Sequence, residues 1–170
     1  RVDKVQALGN KMLRTPMESF YVTGQKRVGK TSLALAAVAF AKEHAAEPGI
    51  ESKYLLWGAI ANADPAASLR ELGTHIAEFM IDSFPAGVRT PALSFDGSIA
   101  ALTRLAGVAA KVRPGLKYVI VIDEFDEIHP ELYQHGNLAE TFFANIRALT
   151  TCESVCLILV GGENMPFVMD

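Results

Sequence analysis

Residues 24–31, Gly-Gln-Lys-Arg-Val-Gly-Lys-Thr, match G-x-x-x-x-G-K-[ST] in full, and the residues on either side decide what the match means. Ser19 to Thr23 (SFYVT) is a short β-branched and aromatic run that predicts a strand. Ser32 to His44 (SLALAAVAFAKEH) is rich in Ala and Leu and holds no Gly or Pro, which predicts a helix stopped by Pro48 and Gly49. A strand, a glycine loop and a helix in this order aim successive backbone N–H groups and a helix N-terminus at one anion. The residue types point to a nucleoside triphosphate with magnesium. Gly24 and Gly29 stand where the backbone must bend tightly or approach phosphate closely. Lys30 supplies a point charge for the β- and γ-phosphates. The Thr31 hydroxyl is an oxygen ligand suited to magnesium. The candidate nucleotide-binding set is Gly24, Gln25, Lys26, Arg27, Val28, Gly29, Lys30, Thr31 and Ser32.

A second stretch, Tyr118 to Glu124 (YVIVIDE), is an apolar β-branched run ending in two acids. Its unbroken apolar pattern predicts a strand buried on both faces, as in a parallel sheet, with Asp123 and Glu124 at its C-terminal end, where ligands bind in open α/β sheets. With the glycine loop, this pair resembles the Walker A and Walker B motifs of P-loop NTPases. The resemblance implies that Thr31 and Asp123 hold magnesium, Asp123 directly or through water, and that Glu124 polarises the attacking water. Lys30 and Glu124 are then the central catalytic candidates.

The 170 residues suffice for one domain with a sizeable core, and the composition, 50% hydrophobic and 21% charged, is that of a globular protein. A net charge of −3 argues against a large non-specific nucleic-acid surface on these residues. Cys152 and Cys156 lack a second Cys/His pair, and the four histidines show no ligand spacing, so neither suggests a metal cage. Cys156 falls in an apolar strand as packing, and Cys152 reads as a free thiol. Few cysteines and a nucleotide site suit a reducing cytoplasm. No segment has the apolar length of a membrane span. The chain begins at Arg1 and ends at Asp170 beside predicted elements, and is expected to be a piece of a longer multidomain polypeptide.

Along the chain, residues 2–13 predict a helix ended by Thr15-Pro16. Tyr54 to Ala61 (YLLWGAIA) predicts a second strand. Asp64 and Pro65 open a helix through Asp82, as N-cap and first-turn proline. Residues 84–95 predict a loop, and Asp96 a cap for a helix over 97–112. The acidic strand follows over 117–123, then a looser segment 126–136, a helix from Asn137 to Leu149, a last strand Val155 to Val160, and a turn at Pro166. Alternating strands and helices predict an α/β fold of three layers, with a mostly parallel sheet of four strands between helices on both faces. A fifth strand is expected beyond residue 170.

Three features resemble particular P-loop branches. Asp123 is followed at once by Glu124, as in the additional-strand ATPases. The continuation Glu124-Phe125-Asp126-Glu127 is similar to the acidic stretch of archaeal-type and origin-recognition-type ATPases. Gly161-Gly162-Glu163-Asn164-Met165-Pro166 resembles the polar sensor segment after the fourth strand in AAA+ and STAND ATPases, with Asn164 or Glu163 as the γ-phosphate sensor. Arg1 resembles the tail of the element that precedes the loop in STAND proteins. The resemblance implies an ATP-hydrolysing switch of the STAND type, used in regulation or bacterial defence. Its partners would be other copies of itself or other domains of the same chain. An AAA+ loader or remodeller of DNA is the alternative, with nucleic acid held outside these residues; a scaffold with little hydrolysis is another. ATP is favoured over GTP because no N-K-x-D element is present. No arginine is assigned as a finger; Arg147, on the helix before the last strand, reads as a solvated helix face or a local ion pair. Arg27 either touches phosphate or points outward, and Asp126 and Glu127 are read as supporting acids rather than ligands.

Overall fold

The computed structural model describes residues 2–169; Arg1 lies outside them. The elements are α1 (Val2–Leu13), β1 (Phe20–Val22), α2 (Lys30–His44), β2 (Ile50–Leu56), α3 (Trp57–Ile60), α4 (Pro65–Ile81), α5 (Ala101–Val112), β3 (Lys117–Asp123), α6 (Asn137–Thr150), β4 (Val155–Val160) and α7 (Met165–Met169). Two short 3₁₀ turns, Phe125–Glu127 and Pro130–Leu132, lie between β3 and α6. Among the described residues no helix is long and apolar enough to cross a membrane.

The four strands form one parallel sheet in the order β1-β4-β3-β2. β4 and all but the first residue of β3 are buried, as their apolar runs require when both faces are covered. Alternate residues serve different layers. Val119, Val121, Ile158 and Val160 pack with Met12, Ala37 and Ala41 under α1 and α2. Tyr118, Ile120, Ile122, Leu157 and Leu159 pack with Leu72, Leu105 and Phe142 under α4, α5 and α6. This is the expected three-layer α/β architecture. At the N-terminal end of β3, Lys117 Nζ donates to the carbonyls of Met12, Leu13 and Arg14 at 3.4, 3.1 and 2.8 Å, tying the end of α1 to the strand.

Several boundaries differ from the sequence expectations. The second strand runs over Ile50–Leu56, not 54–61, and Trp57–Ile60 is a helical turn. Its pairing with β3 starts at Ile50 opposite Lys117 and stops at Leu56 opposite Asp123. There the partner strand ends, and the chain turns to bury Trp57 and Ile60. Asp64 caps α4 as expected, accepting from Ala66 N at 3.0 Å. Asp96 caps nothing: α5 starts at Ala101, and Asp96 binds Arg70 at 3.2 Å. The turn into α5 is instead held by Asn145 Oδ1, which accepts from Ile99 N at 3.0 Å and from Ser98 Oγ at 2.8 Å. The loop at 84–95 ends on a buried Phe95 ring laid against Gly73, where an added Cβ would lie 2.4 Å from the ring. Pro166 is not a turn but sits in the first turn of α7, where its missing N–H costs no helix bond. Both cysteines are free thiols, Cys156 buried and Cys152 half-buried.

Candidate functional site

The C-terminal ends of β1, β3 and β4 open onto one cavity of about 290 Å³. Lys26, Arg27, Lys30 and Thr31 line it from the glycine loop and the start of α2. Asp123, Glu124, Asp126 and Glu127 line it from β3 and the turn after it, and Gly161 and Gly162 from the end of β4. A larger cavity of about 480 Å³ lies at the other end of the sheet, against Ala106, Gly107 and Ala110 of α5 and Leu116. It has no glycine loop and no cluster of cations, so the smaller cavity is the candidate site.

The loop is built for an anion. Gly29 has φ 82 and ψ 32, the left-handed backbone that glycine adopts without steric cost. Arg27 is also left-handed, at φ 63. No side chain caps α2, so the dipole and first amides of a helix of this length suit a negative group at its N-terminus. Lys30 Nζ donates to Gly24 O at 2.8 Å and Gln25 O at 2.6 Å, which holds its charge over the loop.

Opposite the loop, Asp123 is 8% exposed and accepts three hydrogen bonds. Thr31 Oγ1 donates to its Oδ2 at 2.6 Å, Tyr54 OH to the same oxygen at 2.8 Å, and the backbone N–H of Glu124 to Oδ1 at 2.9 Å. Burial first, then the bond to Asp123, pushes the Tyr54 phenol up to about 12, so it stays a donor at neutral pH. A threonine hydroxyl keeps two acceptor lone pairs while donating its proton. Thr31 and Asp123 therefore present hard oxygens side by side, a donor set that fits magnesium, which takes one or two protein ligands and fills the rest with water and phosphate. The cavity's charges support the same fit. Four carboxylates face three cations, and a polyanion entering there needs a further positive charge.

Glu124 leaves β3 with a left-handed backbone, φ 56 and ψ 34, which swings its exposed side chain away from the strand line. A Cβ added at Gly58 would lie 3.5 Å from Glu124 Oε2, so the carboxylate stands beside the turn after β2. Asp126 rests on the end of β4: a Cβ at Gly161 or Gly162 would come within 2.9 or 2.8 Å of its carboxylate oxygens. Thr23 Oγ1 donates to Gly162 O at 2.9 Å and joins the ends of β1 and β4.

Thus Lys26, Arg27, Lys30, Thr31, Asp123 and Glu124 meet at one cavity. Gly24, Gln25, Val28, Gly29 and Ser32 complete the loop and helix start without lining it. Asn164 and Glu163 are exposed and do not line it either. Fully buried Met165 draws the chain into the core, and Asn164 O accepts from Phe167 N and Val168 N at the head of α7. Arg147 is exposed on α6, outside the lining. Sequence reasoning missed Tyr54, whose contact depends on the register of β2 on β3, and the seating of Asp126, for which the paired glycines 161 and 162 were the available signal.

No protein-family model matches the sequence, and no curated protein matches it. Among solved structures the chain is similar to the ORC2 protein of Aeropyrum pernix. In the ADPNP-ADP complexes the TM-score is 0.62 at 20% identity, over 99% of this chain and 43% of that one. In the ADP form it is 0.60 at 18% identity, over 96% and 41%. A DnaB-like replicative helicase, described with its interactions with primase, gives 0.44 at 11% identity, over 87% and 40%. The chain therefore spans less than half the length of these proteins. The likeness to ORC2 bears on the fold alone: a four-stranded parallel α/β sheet with helices around it, consistent with a P-loop NTPase-like fold.

Proposed function

We propose that this chain is the ATP-binding and hydrolysing module of a STAND-type switch, in which nucleotide state sets conformation or self-association. The observation that supports its nucleotide site is the 2.6 Å contact between Thr31 Oγ1 and Asp123 Oδ2, inside a cavity headed by the glycine loop; the switch role rests on the sequence resemblance. Lys30 would turn from the loop carbonyls to the β- and γ-phosphates, and the amides that open α2 would bind the same oxygens. Thr31 and Asp123 would hold magnesium, which when bound neutralises charge on the phosphates. Glu124 would orient a water and accept its proton as the water oxygen bonds to the γ-phosphorus and the bond to the β-phosphate oxygen breaks. The products are ADP and inorganic phosphate. A sensor role for Asn164 or Glu163 requires the turn before α7 to swing toward the γ-phosphate. An arginine finger would come from another copy or another domain, since Arg27 is the cavity's arginine among the described residues.

A second reading, an AAA+ loader or remodeller acting on DNA, is favoured by the fold likeness to ORC2 together with the Glu124-Phe125-Asp126-Glu127 stretch. It shares the site chemistry and would hold nucleic acid through other regions. Thermal melting with and without MgATP tests the shared part. Saturation at about 100 times Kd stabilises a fold by roughly 2.7 kcal/mol. The wild type should show that gain and Lys30→Ala should lose most of it. Equal shifts in the two would refute the site.

A further inference from the structure

We infer that Tyr54 is a positioning residue for Asp123, fixing which carboxylate oxygen faces the cation; the inference rests on the magnesium-nucleotide reading above. A carboxylate has about four lone-pair sites. Two hydroxyls, Thr31 at 2.6 Å and Tyr54 at 2.8 Å, converge on Oδ2 and fill that oxygen. Oδ1 accepts one backbone N–H, from Glu124 at 2.9 Å, and keeps one site for a cation or its water. Without the phenol, Oδ2 would hold one partner, and the carboxylate could turn about its χ2 bond, a broad two-fold torsion.

The fold makes this contact specific. Residues paired across parallel strands project to the same side of the sheet. Tyr54 pairs with Val121 and Leu56 with Asp123, so the phenol runs along the α2 face toward the strand end and reaches the carboxylate two residues beyond its own pair. Tyr54 lies on the edge strand with 42% of its surface exposed. A tyrosine there is not needed to fill the core, and its hydroxyl is the part that touches the site. Groups that orient metal ligands are worth about tenfold to a hundredfold in metal affinity or activity.

The test is binding of a fluorescent ATP analogue to wild type and Tyr54→Phe, first in EDTA, then across a magnesium titration. Tyr54→Phe keeps the ring. The expected result is equal affinity in EDTA and a magnesium midpoint raised about tenfold or more in the variant. A variant with the wild-type midpoint would overturn the positioning role. So would a variant whose affinity falls equally in both media, since that marks damage to the loop. A wild type that binds no analogue in either medium would overturn the nucleotide reading, and this inference with it; wild-type binding beside an unmoved midpoint overturns only the inference.

Discussion

Glu124 holds a backbone conformation that costs a non-glycine residue of order 1–3 kcal/mol and survives only where its surroundings hold it. Here the restraints are its N–H on Asp123 Oδ1 and the buried Phe125 that follows. Strain kept at a cavity carboxylate suits a group held out for chemistry, and two substitutions separate the two aspects. Glu124→Gln should bind ATP as wild type does and lose turnover on the order of a hundredfold, because an amide cannot accept the water's proton. Glu124→Gly should be just as inactive yet melt higher without nucleotide, since glycine accepts the positive φ freely. Wild-type hydrolysis by Glu124→Gln would end the assignment, and a lower melting point for Glu124→Gly would end the strain argument. At this scale the glycine loop and the acidic pair were legible because each is contiguous and each residue type has one evident chemical use. Tyr54 was not legible, because it stands 69 residues from Asp123 and nothing local to it signals a carboxylate.

Elements were read well where their boundaries are local and poorly where a partner sets them. Asp64-Pro65 announces α4 in its own sequence, and the structure starts the helix there. In the apolar run Tyr54 to Ala61 the one breaker, Gly58, comes two residues past the strand, so nothing at Leu56 itself marks the end of β2; the end is set by Asp123 on the neighbouring strand. Ahead of it, Glu51 and Lys53 blur the alternation, as edge strands tolerate. Asp96 looked like a cap until Arg70 claimed it, and the true anchor, Asn145, comes from α6. The connection between α4 and α5 is likewise fixed by packing, through Phe95 on Gly73. Gly73→Ala would put a methyl group 2.4 Å from that ring. It should destabilise the fold by about 1–3 kcal/mol as an overpacked contact, although alanine is the better helix former. A lowered urea midpoint checks this, and an unchanged or raised one would show that the ring moves aside freely.

Over the whole molecule the sheet divides two cores, and Cys156 lies within the one under α1 and α2. Burial pushes its thiol from 9.0 up to about 12. The unfolded chain therefore releases this proton near pH 9 while the folded chain keeps it, so the stability linked to Cys156 is intact below pH 9 and is lost as pH rises toward about 12. Urea midpoints should fall from pH 9 to 11 in wild type and fall less in Cys156→Ala; parallel curves would refute the linkage. The layered architecture was legible because strands and helices alternate, but the clamp of Lys117 on α1 was not, since it spans 105 residues in its longest contact. That clamp has a mechanical consequence. β3 is a rod of seven residues, about 20 Å long, gripped at one end by the last carbonyls of α1 and carrying Asp123 at the other. A shift of the end of α1 is therefore handed to the strand that bears Asp123, which the ladders to β2 and β4 hold on both sides.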